Sequence, residues 1–376
     1  MSSQGNKYEY GELADKLILA YSKRRLFKAI GTTKRDRQQQ FSKLDNKDKK
    51  FVLKLIDVAN SNEKHMISSE LDIALDSIDL AKIYEGVDKR EYDRESKAKD
   101  PNLIYEDFIV LELLHYFKHD FFKWVNKPEC SRCKQSSNNI VPTGNSGPPS
   151  VNPSEISIIE NYKCTKCNIA VSFPRYNNPI KLLETKSGRC GEWVNCFIFI
   201  LRALLGSQSQ IRYVWNHEDH VWCEYYSLGL KRWIHLDPCE GVFDEPNLYC
   251  ENWGKKMSWC FAFGETYIMD VSDKYITKPD KQINKLEYVS SLKNIKEFID
   301  TLNDDKLVRY YSNMALTDSD ENRNLMKLYQ EVILIHNSEE LNKENKIEVS
   351  RTQNTPTGRQ TGDAEWTKSR GEDGNE

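Results

Sequence analysis

The sequence predicts an α+β protein in which one apolar helix, entered at a cysteine, packs on an antiparallel sheet, with a cysteine-knuckle lobe beside it and helical arms at both ends. Three observations carry this. Two Cys-x-x-Cys pairs stand at Cys130/Cys133 and Cys164/Cys167. Phe197, Ile200, Leu201 and Leu204 repeat at helical spacing just after Cys190, and Gly188 and Gly191 flank that cysteine. Finally, Tyr213–Tyr226 and Arg232–Glu240 alternate aromatic and β-branched residues in the manner of strands. A chain of 376 residues can bury the core of one large or two modest domains.

Composition narrows the functional classes. Lys and Arg number 54 against 57 Asp and Glu, a net charge of -3, so there is no electrostatic reason to expect nucleic acid or anionic membrane as the main partner. No apolar run approaches the roughly 18 residues of a membrane helix, and the start, Met1 to Lys7, lacks the apolar core of a signal peptide. Ten cysteines, four of them in the two knuckles, suit a metal better than disulfides in a chain of this size. No Asn-x-Ser/Thr acceptor occurs. We therefore expect a monomer in a reducing compartment, the cytoplasm and with it the nucleus.

Five segments are expected in order. Residues 1–100 read as a mainly helical N-terminal arm, with Leu13, Leu17 and Tyr21 on one face and Leu71, Leu75 and Ile78 on another. Residues 101–178 hold a helix over Glu106–Val125, a loop at 135–155 rich in Ser, Asn, Pro and Gly, and the knuckles. Glu112, His115 and His119 share a face of that helix and could ligate a metal, although no second cluster completes such a site. The catalytic core spans 179–290. Residues 291–345 end in a helix marked by Leu325, Leu328, Val332 and Ile335, and the polar stretch 346–376, with Trp366 its only aromatic, is expected to be disordered.

Each knuckle places two thiolates about one turn apart, so two knuckles can close a tetrahedron around one Zn²⁺. A shell of Cys130, Cys133, Cys164 and Cys167 leaves no open position, which makes the metal structural. The intervening loop absorbs the long spacing at small entropic cost.

Cys190 stands at a helix N-terminus, where unsatisfied N–H groups and the dipole favour a thiolate, whereas Cys196 falls inside the helix. If residues 227–230 form a hairpin loop, Tyr226 opposes Lys231 and His220 lies directly opposite Asp237. That geometry lets a carboxylate fix a histidine tautomer and gives a Cys190, His220, Asp237 triad in chain order. His217 and His235 compete for the role of base, and both strand residues could equally be ordinary parts of the sheet. A slip of one residue would send Asp237 to the far face.

At these residues the sequence resembles the cytoplasmic peptide:N-glycanases of the transglutaminase-like, papain-like superfamily, and the fungal form fits best. The resemblance runs from about Asn102 to Tyr275, through Phe122-Lys123-Trp124-Val125-Asn126, both knuckles, Gly188-Arg189-Cys190-Gly191-Glu192-Trp193, Asp219-His220-Val221-Trp222 and His235-Leu236-Asp237-Pro238-Cys239-Glu240. It continues through Trp253-Gly254-Lys255-Lys256-Met257-Ser258 to Phe261-Ala262-Phe263-Gly264.

The resemblance implies a Cys-His-Asp amidase that hydrolyses the β-aspartylglucosaminyl amide of N-glycoproteins through a thioester, releasing a glycosylamine and turning Asn into Asp. It implies zinc on the four knuckle cysteines, Glu240 as a sugar contact and Trp124 as an oxyanion donor through its indole N–H. Trp193, Trp215, Trp222 and Trp233 could offer stacking faces for a sugar, although packing in the core explains them as well. Family members act on misfolded glycoproteins from the endoplasmic reticulum, and fungal ones associate with a ubiquitin-receptor shuttle of the proteasome. The segment from Gly11 to Ile30 and the helix near Leu325 are the candidate contacts for that shuttle. A cysteine protease, a transglutaminase and an inactive binding module with the same fold are the rival readings.

Overall fold

The computed structural model describes residues 3–63, 70–97, 102–136, 138–148, 155–206, 210–331 and 357–374. Its helices are α1 (Ser3–Lys43), α2 (Asn46–Glu63), α3 (Leu71–Asp76), α4 (Leu80–Lys97), α5 (Tyr105–Tyr116), α6 (Pro179–Thr185), α7 (Cys190–Leu205), α8 (Ser272–Tyr275), α9 (Leu292–Thr317), α10 (321–331) and α11 (Ala364–Ser369). The strands are β1 (Lys123–Trp124), β2 (Ile140–Ser146), β3 (Ile156–Cys164), β4 (Ile169–Tyr176), β5 (Ser187–Gly188), β6 (Ile211–Asn216), β7 (His220–Ser227), β8 (Arg232–Asp237), β9 (Val242–Phe243), β10 (Cys260–Phe263) and β11 (Ile268–Asp270). The fold is α+β, as the sequence predicts. The chain packs as two compact units.

One unit gathers residues 1–57, 263–269 and 284–348. Here Leu26 and Ala29 of α1 pack with Leu307, Leu325 and Leu328 in one buried cluster. Leu325 and Leu328 thus face inward, so the helix near Leu325 does not present them to a partner, while Val332 and Ile335 lie outside the described residues. By contrast Leu13 and Leu17 remain 54% and 63% exposed. Ser291 caps α9 by accepting from the Asn294 N–H (3.2 Å).

The other unit comprises residues 58–262, 270–283 and 349–376 and holds α3 to α8, β1 to β9 and α11. α7 is apolar almost all round, and Trp193 to Leu201 are buried because α3, α5 and α6 as well as β6 and β7 pack on it. Strands β6, β7, β8 and β9 pair antiparallel in that order within a sheet ordered β11-β10-β6-β7-β8-β9. On the same face of β7 as His220 and Trp222, the carboxylate of Glu224 is ion-paired with Arg212 and Lys274 and accepts from the Tyr275 hydroxyl (2.6 Å).

Two expected boundaries change. The helix expected over Glu106–Val125 is α-helical only to Tyr116 and closes with a π-helical turn over Phe117–Phe121. That turn aims Phe117 at α7, where its ring meets Trp193 and Phe197 edge-on. Within the expected loop 135–155, β2 is a strand, the edge of a three-stranded antiparallel sheet with β3 and β4. Its register shifts between Pro142 and Gly144, as a proline at an edge allows. The tail is a third correction, since residues 357–374 are folded and contain α11.

Candidate active site and cysteine cluster

Cys190 opens α7. Trp193 N–H donates the first intrahelical bond, to the Arg189 carbonyl (2.9 Å), so the N–H groups of Cys190, Gly191 and Glu192 precede the helical ladder. The carboxylate of Glu192 folds back to accept from the Arg189 N–H (3.0 Å) and takes the Arg175 guanidinium. The Glu192 side chain lies so close over Gly188 that a Cβ there would come within 2.4 Å of the Glu192 Cβ, which explains that glycine. β1 and β5 pair in parallel with Trp124 level with Gly188, which sets the indole beside the start of α7.

His220 begins β7 after a turn in which Asp219 takes φ +64°. The register differs from the one expected. Cys223 pairs with Leu236 and Ser227 with Arg232, so the loop is residues 228–231 and Asp237 falls at the level of Trp222 instead of His220. A shift of two residues keeps every side chain on its face, and the pair survives on the diagonal, with His220 Nε2 2.9 Å from Asp237 Oδ2. Oδ2 also accepts from the Tyr249 hydroxyl (3.0 Å), and Oδ1 accepts from the N–H groups of Cys239 (2.9 Å) and Glu240 (3.2 Å). Tyr249 donates to Asp237, so its oxygen accepts from His235 Nε2 (2.8 Å), which assigns His235 a supporting place behind the carboxylate. His217 lies in the turn beside Glu218, away from the pair.

With Nε2 turned to Asp237, His220 keeps Nδ1 as a buried acceptor without a protein partner. The rings of Tyr249 and Trp253 flank the imidazole at 5.1 Å. Arg359 and Arg370 bear on both Cys190 and His220, which places thiol and imidazole in one electrostatic neighbourhood. Burial pushes the Cys190 thiol up, while Arg359, Arg175 and Arg370 pull it down. Burial, reinforced by Arg359, holds the His220 imidazole well below its usual value. Both directions favour a neutral thiol and imidazole at rest, so burial outweighs the helix-terminus effect that the sequence suggests.

The four knuckle cysteines converge, with their Sγ atoms all within 4.8 Å of one another. Lys134 and Asn168, the residues after each second cysteine, both adopt φ +56°, so the two knuckles share one backbone turn. Cys133 and Cys164 lie 3.8 Å apart, the edge length of about 3.8 Å that four thiolates have around Zn²⁺ at about 2.3 Å. Asn139 Nδ2 donates to Cys164 Sγ at 3.2 Å, as a thiolate requires. The donor set therefore fits a tetrathiolate metal. Glu112 instead pairs with Arg90, and among the described residues His115 and His119 join no metal cluster.

Comparison with known proteins decides the family. Residues 142–238 match the transglutaminase-like superfamily and 208–349 the Rad4 transglutaminase-like domain. The chain is 95% identical over all 376 residues, and over the whole of the relative, to a peptide-N(4)-(N-acetyl-beta-glucosaminyl)asparagine amidase of Debaryomyces hansenii. It belongs to the peptide-N(4)-(N-acetyl-beta-glucosaminyl)asparagine amidase family. The Saccharomyces cerevisiae amidase is 43% identical over 80% of each chain, and that of Mus musculus is 35% identical over 74% of this chain and 42% of its own.

The structure gives Trp222, Trp124 and Glu240 the following surroundings. Trp222 is fully buried between Tyr249 (4.3 Å) and Tyr275 (4.6 Å), so it supports the sheet under His220 and offers no face to a sugar. Trp124 donates its indole N–H to Asn126 Oδ1 (2.8 Å), which commits the group expected at an oxyanion. Glu240 accepts from the N–H groups of Gln360 (3.0 Å) and Thr361 (3.1 Å), so its carboxylate is engaged by the C-terminal segment. Tyr249 and Arg359 carry no local signal of their role. Trp253 stands in a stretch that resembles the family, but its spacing alone does not connect it with His220.

Proposed function

We propose that this amidase acts through Cys190 as nucleophile, His220 as base and later acid, and Asp237 as orienter. The observation that carries the assignment is the His220–Asp237 contact of 2.9 Å, with Nδ1 left as acceptor in the electrostatic neighbourhood of Cys190. Cys190 Sγ attacks the side-chain amide carbonyl of the glycosylated Asn as Nδ1 takes its proton, and a tetrahedral oxyanion forms. The N–H groups of Cys190 and Gly191, ahead of the helical ladder, suit that oxyanion better than the committed Trp124 indole. His220 then returns the proton to the departing glycosylamine, leaving a thioester. Water, deprotonated by Nδ1, opens the thioester, releases Asp and regenerates the thiol.

The metal is zinc in this reading, held by Cys130, Cys133, Cys164 and Cys167 and outside the chemistry. Glu160 of β3, which takes Arg189 and Arg175 at 2.8 Å, links the cysteine lobe to the entrance of α7. The substrates are misfolded N-glycoproteins or their glycopeptides in the cytoplasm, and the exposed Leu13 and Leu17 face of α1 is the docking site for a ubiquitin-receptor shuttle. No helix among the described residues is long and apolar enough to cross a membrane.

The test is incubation of a denatured N-glycoprotein with the protein and with Cys190→Ala. The expected result is loss of the whole glycan and a gain of about one mass unit over the Asn peptide, from amide hydrolysis, absent in the variant. Backbone cleavage with the glycan retained would instead favour a protease, amine incorporation a transglutaminase, and no reaction in the zinc-loaded protein an inactive module.

A further inference from the structure

His220 is 1% exposed and Asp237 is fully buried, although a glycosylated Asn has to reach the His220 Nδ1 and the Cys190 thiol. The C-terminal segment 357–374 lies over the groups that border them. Arg370 holds both the carboxylate and the carbonyl of Asp219, the residue before His220. The Arg359 guanidinium stands 5.0 Å from the ring of Trp124 and 5.2 Å from that of Trp253, and Trp253 in turn meets the His220 ring at 5.1 Å. Gly358 N–H donates to the Asn252 carbonyl (2.9 Å) and Gly374 N–H to that of Trp253 (3.2 Å).

The bonds that seat this segment are ones a ligand can replace. Glu240 accepts from the N–H groups of Gln360 (3.0 Å) and Thr361 (3.1 Å) and from the Thr361 hydroxyl, donors that any ligand rich in hydroxyls and amides also offers. Glu372 is ion-paired with Arg359 (2.7 Å) and Lys255 (2.6 Å) in a buried network, where the cost of desolvation offsets much of the attraction. The Asp219 carboxylate that Arg370 takes is largely exposed, so that latch is weak. Residues 357–374 contain no Val, Ile, Leu, Met or Phe, and Trp366, edge-on to Trp124 at 5.6 Å, is their one large apolar contact. Within the segment, by contrast, Arg359 N–H donates to the Glu372 carbonyl (2.7 Å), and the Arg359 and Arg370 guanidinium groups each lie 4.5 Å from the Trp366 ring. The segment therefore closes on itself and can leave as one piece.

We propose that residues 357–374 are an autoinhibitory plug, a segment of the chain itself that sits beside the triad and is displaced when a glycopeptide enters. In the closed form Arg359 fills the space between Trp124 and Trp253 while Gln360 and Thr361 hold Glu240, and departure of the segment frees all three positions together. The proposal rests on the amidase reading for the identity of the displacing ligand, but its first test does not depend on glycan release. Inhibition of this kind is competitive in cis, so it raises KM and leaves kcat unchanged.

Gly358→Val unseats the plug without changing a charge or a residue of the body, because Gly358 holds φ +81° and a Cβ there would lie 2.5 Å from the Asp373 carbonyl oxygen. The first measurement is Cys190 alkylation by iodoacetamide, read by peptide mass spectrometry, in the zinc-loaded full chain and in this variant. An open form populated at about 10% in the unaltered chain and fully in the variant gives alkylation about tenfold faster. Rates are followed across pH, since access raises the whole profile whereas altered thiol ionisation only moves it along the pH axis. On a glycopeptide the variant is expected to show KM about tenfold lower at unchanged kcat. The second measurement keeps the segment unaltered and follows hydrogen exchange at the Gln360 and Thr361 amides of Cys190→Ala, which is expected to speed up once a denatured N-glycopeptide is bound. Unchanged alkylation in a folded Gly358→Val, or amides no less protected with glycopeptide bound, would overturn the plug. Faster alkylation with no glycan release would uphold it and overturn the amidase reading instead.

Discussion

His220 and Asp237 meet on the diagonal of their strand pair, at 2.9 Å from Nε2 to Oδ2, although the register places Asp237 level with Trp222. The carboxylate is held by three further donors, Tyr249 and the N–H groups of Cys239 and Glu240, so its position does not depend on the histidine. Asp237→Asn would present an amide to Nε2 and stabilise the wrong tautomer. Its kcat is expected to fall by about 10³ to 10⁴ with KM little changed. His220→Ala should be at least as severe. His235→Ala acts only through Tyr249 and should cost about tenfold, the effect of one supporting hydrogen bond. Kinetics of the three variants on one glycopeptide check this order, and full activity without His220 would remove it from the mechanism.

His220 must be neutral to accept the thiol proton. Burial holds its imidazole well below 6.5, with Arg359 pushing the same way. The imidazole therefore stays unprotonated as the pH falls through the usual histidine range, and the acid limb of kcat/KM is expected below pH 6.5. A pH-rate profile checks the sign, because a limb above 6.5 would require a more solvated or acid-paired base.

Stability has a separate acid limit at Glu224 of β7. Glu224 is fully buried with Arg212 and Lys274, which hold its carboxyl down at about 2 against an ordinary 4.5. A carboxyl depressed on folding adds stability that is present above about pH 4.5 and is lost as the pH falls toward 2. Glu224→Gln leaves buried Arg212 and half-buried Lys274 without a counter-charge and is expected to cost about 3 to 5 kcal/mol. Urea melts at pH 7 and pH 4 should show a large loss at pH 7 and a smaller one at the lower pH.

The α7 entrance, the knuckles and the face relation of His220 to Asp237 are legible in the sequence because each depends on local spacing. Helical periodicity after Cys190 and alternation on two short strands need no long-range knowledge. The exact register is not legible, since a loop at 227–230 and one at 228–231 have the same length and Ser227 itself remains in β7. Trp222 illustrates a different limit. Alternation gives its face but not whether Tyr249 and Tyr275, distant in sequence, cover it. The folded segment 357–374 is hidden for a compositional reason. Its polar residues satisfy one another and Glu240, Asp219 and Lys255, so burial arises from ion pairs and backbone bonds instead of an apolar pattern, with Trp366 the single aromatic sign.

The cysteine lobe is tied to the nucleophile by charge as well as by packing. Glu160 of β3 takes Arg189, the residue before Cys190, and Arg175, which in turn holds Glu192 in the first turn of α7. Removal of the zinc proposed at the four cysteines by a strong chelator is expected to unfold the lobe, since a structural zinc contributes on the order of 10 kcal/mol, and to abolish activity by releasing this network. Glu160→Ala should separate the two effects. It keeps all four thiolates, so zinc content should stay at one per chain, yet Arg175 and Arg189 lose a partner and kcat is expected to fall about tenfold. Metal analysis and kinetics on Glu160→Ala, Arg189→Ala and the double variant form a cycle in which the double loss should be smaller than the sum of the single losses. Additive losses would mean that the lobe reaches Cys190 by another route.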